Sequence, residues 1–261
     1  MPPSLLAVRR GGEFAHVELG RPDVRNAFNA ALIVEIAEAF QALANDASVR
    51  GIVLSGSGSS FCAGADITWM RTALELSAED NHADARAMSL MFRSIDRCPK
   101  PVIARVHGAA IGGGVGLVAV CDIAIATSTT IFAFSETKLG ILPAVISPFV
   151  LAKIGRSHAR ALALTGERFG ASRALAIGLV HEVVETEDGL EGAIERTCSE
   201  IATAGPTAVA ATKALLAEVA ASDYDATLDL TARAIAAQRT SAEGQDGLRS
   251  FLDKRTPAWM R

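Results

Sequence analysis

Apolar positions recur along the chain in two rhythms, and the passage from one to the other outlines its architecture. Phe14–Leu19 has the make-up of a short strand and stops at the Gly20-Arg21-Pro22 turn. From Asn29 the period lengthens: Ile33, Ile36, Phe40 and Leu43 share one helical face, with Asn29 placed to cap the helix. Gly51-Ile-Val-Leu-Ser55 is a brief apolar run that fits a buried strand, and the Gly- and Ser-rich stretch from Gly56 to Gly64 is a loop. A helix is predicted over about 77–97, with Met88, Met91, Phe92 and Ile95 as its stripe, both methionines read as core. Cys98-Pro-Lys-Pro101 ends it, because a proline ring disfavours helix in the residue before it.

Val102–Val106 reads as the next strand, followed by a glycine-rich turn and an apolar helix to Cys121. Two more short strands follow at about 122–126 and 131–134. Beyond Gly140 the pattern is mainly helical: about 147–154, 157–165, 172–177, 190–204, 206–220, and two helices between 226 and 254. One strand pattern, 179–184, interrupts it. Repeated strand–turn–helix units followed by helices predict an α/β core over 1–200 and a C-terminal helical subdomain over 201–261.

Composition narrows the function. Half of the 261 residues are hydrophobic, enough for a large core, and 25 basic against 29 acidic residues give a net charge of −4 without charge blocks. That predicts no nucleic-acid partner and no anionic membrane surface. No apolar run approaches 18 residues, and the N-terminus lacks a signal-peptide pattern, so a soluble cytoplasmic protein is expected. Cys62, Cys98, Cys121 and Cys198 are far apart, with no CxxC pair and no His at ligand spacing. They predict buried thiols in a reducing compartment and no metal site.

The candidate chemistry lies in two glycine-bearing turns, Phe61-Cys-Ala-Gly-Ala-Asp66 and Val106-His-Gly-Ala-Ala-Ile-Gly-Gly-Gly-Val-Gly116. Each follows a strand and precedes a helix. Glycine admits close approach of a ligand to the main chain, and a helix start offers unpaired amides to a developing anion. Either turn alone could equally be a place where a helix packs tightly on a sheet. Competing motifs fail: Leu117 stands where a GxGxxG would need its third glycine, and neither a phosphate-binding GxxxxGK[ST] nor a GxSxG elbow occurs.

Ser60-Phe-Cys-Ala-Gly-Ala-Asp-Ile-Thr-Trp-Met70 and Val106–Leu117 with Cys121-Asp122 resemble the two signatures of the enoyl-CoA hydratase/isomerase (crotonase) superfamily. Arg21-Pro22 with Arg25–Asn29, Phe134–Pro143 and Phe251–Arg255 are similar to further family motifs, so the likeness runs almost end to end. The resemblance implies a spiral of ββα units with a C-terminal helical subdomain, assembled as trimers or hexamers (dimers of trimers). It implies an acyl-CoA thioester substrate and no separate cofactor, coenzyme A being part of the substrate.

By motif position it also implies an oxyanion hole of the Ala65 and Gly113 amides. Ala63, Asp66, Ile67 and Thr68 would follow the ligand, and Arg25 and Lys254 would meet the coenzyme phosphates. Glu136 matches the glutamate that handles the Cα proton. Gly116 stands where two-glutamate hydratases place their first carboxylate. The implied activity is therefore 2-enoyl-CoA hydration, with 3-enoyl to 2-enoyl isomerisation or weakly catalytic acyl-CoA binding as alternatives. Leu139–Pro148 resembles members linked to methylglutaconyl-CoA-type hydration in leucine or terpenoid breakdown. His107 is expected to shape its turn, His82 to lie on a helix surface, and Trp69 and Met70 either to line the acyl pocket or to pack the core. If hydration here is limited by a missing water base, Gly116→Glu raises hydratase activity; the hazard is steric, because a pocket shaped around glycine can lack room for the side chain.

Overall fold

The computed structural model describes residues 4–260. The chain opens with a hairpin, β1 (Leu6–Gly11) and β2 (Phe14–Leu19), joined through Gly12 at φ 62°. The first of these strands escapes the sequence pattern. Only Leu6 is buried, and Arg9 and Arg10 lie on a solvent-facing edge strand, where charge protects against further pairing but erases the hydrophobic signal.

Next come α1 (Ala30–Ala44), β3 (Gly51–Gly56), α2 (Ile67–Ala73), α3 (Ala78–Asp96), β4 (Val102–Val106), β5 (Ala109–Ile111), α4 (Gly113–Val120), β6 (Ile123–Thr127) and β7 (Ile131–Ala133). They are followed by α5 (Ser147–Thr165), β8 (Arg168–Gly170), α6 (Ala171–Ala176), β9 (Glu182–Val184), α7 (Glu187–Thr203), α8 (Pro206–Ala220), α9 (Tyr224–Thr240) and α10 (Ala242–Leu252).

Among the described residues the strands form two sheets. The larger has the order β1-β2-β3-β4-β6-β9, parallel apart from its opening hairpin, and the smaller has the order β5-β7-β8. Each turn of the chain leaves a strand in the large sheet, then a short strand or bridge beside the small one, then a helix. β4, β5 and α4 form one such unit, and β3 followed by the Cys62–Ala110 bridge begins another. This is the ββα spiral. Stacking the turns brings successive strand ends, and the loops leaving them, to one edge.

Helix α1 is capped by Asn29, whose Oδ1 accepts the Leu32 amide at 2.8 Å, and it buries Leu32, Ile33, Ile36, Phe40 and Leu43. Every residue of α4 is buried, so no polar face marks its period. The helices expected at 147–154 and 157–165 are the two arms of α5, bent at Gly155, where φ is 70° and ψ 165°. Cys62, Cys98 and Cys121 are buried, and desolvation pushes the Cys62 and Cys121 thiols up to about 12.

Helix α7 runs through residue 200 and packs Leu190, Ala193 and Ile194 against Val53, Ile103 and Ile125 of the sheet. The helices that leave the core therefore start at α8. α8 is tied back through Lys213 Nζ, 2.6 Å from Asp122 Oδ2. Among the described residues no helix is long and apolar enough to cross a membrane.

Candidate active site

The two glycine turns meet. The main chain after β3 runs beside β5: the Cys62 amide donates to Ala109 O at 3.1 Å, and the Ile111 amide donates to Cys62 O at 2.9 Å. Gly64 holds φ 89°, and Gly112, ahead of α4, holds φ 52° and ψ −118°. At Gly64 a Cβ would meet Ile111 O at 2.8 Å, so the backbones are too close for any side chain there. The flanking amides are used by the fold. Phe28 N–H donates to Gly64 O at 2.7 Å, Asp66 N–H to Phe28 O at 2.8 Å, and Gly112 N–H to Ala133 O at 2.8 Å. The Ala65 and Gly113 amides have no protein acceptor among the described residues. Gly113 begins α4, where a helix leaves its first amides unpaired and carries partial positive charge.

These turns form one wall of a cavity of about 300 Å³. Ala63, Ala65 and Gly113 line it, together with Glu136, Met70 and Met88. The opposite wall runs from Leu139 through Pro143 to Ile146. Glu136 opens a 3-10 turn (Glu136–Leu139). Its Oε1 sits 2.9 Å from where a Gly112 Cβ would be, so that glycine makes room for the carboxylate. Oε2 is buried with no hydrogen-bond partner. Burial pushes the Glu136 carboxyl above its ordinary range, opposed only by its own backbone amide. It is the one titratable side chain among the residues lining the cavity.

The other expected residues lie elsewhere. Asp66 is buried, and its carboxylate is committed: Oδ2 lies 2.6 Å from Arg21 Nη2, and Oδ1 accepts the Thr68 amide at 2.7 Å as the cap of α2. Those partners, led by Arg21, hold its carboxyl below the usual range although burial alone would raise it. Ile67 and Thr68 are exposed at the start of α2, outside the lining. Arg25 presents its side chain to solvent, and its carbonyl accepts the Ala63 amide at 2.9 Å. Lys254 follows α10 on the helical tail, exposed, and does not reach the cavity within one chain.

Of the residues left open, Met70 lines the cavity and Trp69 packs on the core. The methionine pair splits: Met91 is fully buried, whereas Met88 lines the cavity. His82 is exposed on α3. His107 is buried, with Nε2 2.8 Å from Gly58 O, and pins the turn it belongs to.

The steric hazard expected at Gly116 is present. Gly116 does not open onto free space: a Cβ there would overlap Cγ2 of Ile146 and sit 2.9 Å from Cζ of Phe92. A glutamate at 116 would have to displace two buried apolar side chains, so Gly116→Glu cannot simply supply a base. Gly116 is not among the residues lining the cavity, and the motif position carries no information about a side chain thirty residues later.

Arg21, Asn26 and Ile146 are the positions the sequence reading passed over. Arg21 orients Asp66. Asn26 is fully buried at φ 57°, and its side chain bridges the Arg21 amide and the carbonyls of Ser57 and Ser60, fixing the loop that carries Ala65. An asparagine just after a proline-initiated turn is a detectable signal for Asn26, because asparagine tolerates the left-handed region.

Comparison with known proteins agrees with this geometry. A family model described as enoyl-CoA hydratase/isomerase matches residues 9–261. The crystal structure of an enoyl-CoA hydratase from Shewanella pealeana is 37% identical, with TM-score 0.94, over 98% of this chain and 96% of that one. A crotonyl-CoA hydratase of Syntrophomonas wolfei is 34% identical over 93% of this chain and 93% of its own length. A mitochondrial Δ(3,5)-Δ(2,4)-dienoyl-CoA isomerase of Mus musculus is 34% identical over 83% of this chain and 69% of its own. The spiral, the two crossing glycine turns and the end-to-end match lead to one conclusion: the chain belongs to the enoyl-CoA hydratase/isomerase family.

Proposed function

We propose that this enzyme adds water to a 2-enoyl-CoA thioester. The observation that carries the reading is the pairing, in one cavity, of two unengaged backbone amides with a half-buried carboxylate whose Oε2 is buried and lacks a hydrogen-bond partner. The thioester oxygen takes both N–H donors of Ala65 and Gly113. Charge collects on that oxygen when a nucleophile adds at Cβ, and preorganised amides stabilise it without reorganising; losing one such donor typically costs ~3–4 kcal/mol. Glu136 takes a proton from water as the oxygen adds to Cβ and returns a proton to Cα, which closes the balance with a single carboxylate. Its raised pKa suits a group that must both accept and donate near neutrality. Ala63 lies along the thioester path, with Asp66, Ile67 and Thr68 framing the turn. Arg25 and Lys254 are the cations proposed for the coenzyme phosphates, Lys254 in a trimer or hexamer.

A second reading is favoured by the lone carboxylate. With no second titratable group on the cavity wall, Glu136 could move a proton from C2 to C4 of a 3-enoyl-CoA and leave the conjugated isomer. The two reactions have opposite optical signs. Adding enzyme to a short 2-enoyl-CoA removes the conjugated-thioester absorbance if hydration occurs, and adding it to a 3-enoyl-CoA creates that absorbance if isomerisation occurs. No change with the 2-enoyl substrate overturns the first reading. Acyl-CoA binding without either change identifies a weakly catalytic binder.

A further inference from the structure

The turn ahead of α1 runs beside the loop that carries Ala65, and the two segments join at an isolated parallel bridge between Phe28 and Ala65. Phe28 makes both bonds of that bridge, its amide donating to Gly64 O at 2.7 Å and its carbonyl accepting the Asp66 amide at 2.8 Å. These bonds flank Ala65, so the Ala65 N–H turns to the opposite edge of the chain, where the residue lines the Glu136 cavity. Arg21 closes the bridge from the side. Its Nη1 donates to Ala27 O and its Nη2 to Asp66 Oδ2, the latter at 2.6 Å. One planar fork thus spans the residue before Phe28 and the residue after Ala65. The turn itself folds back on Arg21, whose amide donates to Asn26 Oδ1 at 2.9 Å and whose carbonyl accepts the Asn26 amide at 2.8 Å. Arg25 and Asn26 are consecutive left-handed residues, at φ 52° and 57°, a conformation that non-glycine residues keep only where the surroundings hold them. The Arg21 side chain is 15% exposed and does not line the cavity.

We propose that Arg21 is a positioning residue for the thioester chemistry: by clamping Ala27 to Asp66 it aims the Ala65 amide at the substrate oxygen. The inference rests on the enoyl-CoA reading and adds to it a residue outside the cavity on which transition-state stabilisation depends. The two amides of the site are held by different means. Gly113 opens α4, a fully buried helix whose own hydrogen bonds fix the direction of its first amides. Ala65 lies ahead of α2, which begins at Ile67, and only bonds to the 21–28 segment set its direction. A donor to an oxyanion works by being aimed before the charge forms, so a small rotation of this loop reaches the rate without reaching the binding of the coenzyme portion. The Asp66 carboxylate then serves to hold the fork, which accounts for a buried acid beside the cavity that contributes nothing to its lining.

Arg21→Met keeps the length of the side chain and removes the fork. The first measurement is the infrared carbonyl stretch of bound butyryl-CoA, a saturated thioester that neither reaction consumes. Two amide donors on the thioester oxygen lower that frequency in the native chain, and Arg21→Met is expected to lose about half of the shift, the share of one donor in two. The second measurement is turnover of the enoyl-CoA that the native chain converts. Losing a donor outright costs ~10²–10³ in kcat, so misdirecting it should lower kcat by at least ~10-fold while KM stays within about threefold. If Arg21→Met does not fold, Asp66→Asn replaces it, because the amide keeps the oxygen that caps α2 and loses the charge that holds the fork; the carbonyl shift should shrink in the same direction. An unchanged shift in a folded variant overturns the proposal and leaves the enoyl-CoA reading intact. A raised KM at native kcat also overturns it, since Arg21 would then act on the coenzyme. A native chain that binds butyryl-CoA without any shift removes the oxyanion hole and this inference with it. A native shift that shrinks in the variant, in a chain that changes no enoyl absorbance, supports the inference while the hydratase reading falls.

Discussion

The two walls of the Glu136 cavity are built on opposite plans. On one side, residues 62–66 and 112–116 present main chain, and atoms packed behind them prescribe its path. A Cβ at Gly114 would overlap Cys62 O, and one at Gly113 would lie 2.9 Å from Phe28 Cε2. On the other side, Leu139, Ile141 and Leu142 present side chains that are more than half exposed, Leu142 at 70%. The difference teaches where chemistry and selectivity can each reside. A charge that develops on one oxygen needs donors fixed to a fraction of an ångström, which only the packed wall supplies. An acyl group needs apolar contact of adjustable shape, which the exposed wall can give.

The sharpest way to break this contrast is to put a side chain into the packed wall. Gly116→Glu should cost about 3–5 kcal/mol, because it overpacks against Ile146 and Phe92 and buries a charge without a partner. Urea unfolding measures this, and a variant within 1 kcal/mol of the native chain would show that the wall yields.

Next comes the group that faces both walls. Glu136→Gln should retain the fold and CoA-thioester binding while lowering the enoyl turnover rate by at least ~10²-fold, the usual size of a general acid/base contribution. Near-native turnover would place the proton elsewhere.

The same variant tests the electrostatics through stability. Burial raises the folded-state pKa of Glu136 above its ordinary value of 4.5, so the fold favours the protonated form. That contribution is fully present below pH 4.5 and is lost as pH rises through the raised value. Glu136→Gln should therefore match the native chain in acid and become the more stable of the two toward neutral pH. Thermal melts across that window check the sign, and a native chain that is more stable than the variant at pH 7 contradicts it.

The smallest effect belongs to the exposed wall. Leu142→Ser should change stability by no more than about 0.5 kcal/mol, as expected of an exposed position away from the core. It should raise KM for an apolar enoyl-CoA while kcat stays within about twofold. A large fall in kcat would mean that the exposed wall also positions the reacting atoms.

Much of this was readable in the chain itself. The α/β core, the run of helices after Gly140 and the existence of the two glycine turns follow from periodicity and from glycine placement. Those signals are local: a buried face repeats every 2 or 3.6 residues whatever lies against it. The Ala65, Gly113 and Glu136 positions came from motif resemblance, and the structure brings the three to one cavity.

Other features depended on partners distant in sequence, which no local pattern records. The edge strand β1 pairs through a hairpin while its arginines mask it. Asp66 looks like a ligand-facing acid until Arg21, forty-five residues earlier, is seen to occupy it. Gly116 reads as the place of a missing carboxylate until Ile146 is found packed against it. The sequence by itself determined most of the segments that are strands, helices and tight turns, because backbone preference and alternation act over a few residues. The tertiary structure alone decided which carboxylate stays unpaired and which glycine is truly empty, because burial and pairing belong to contacts between segments.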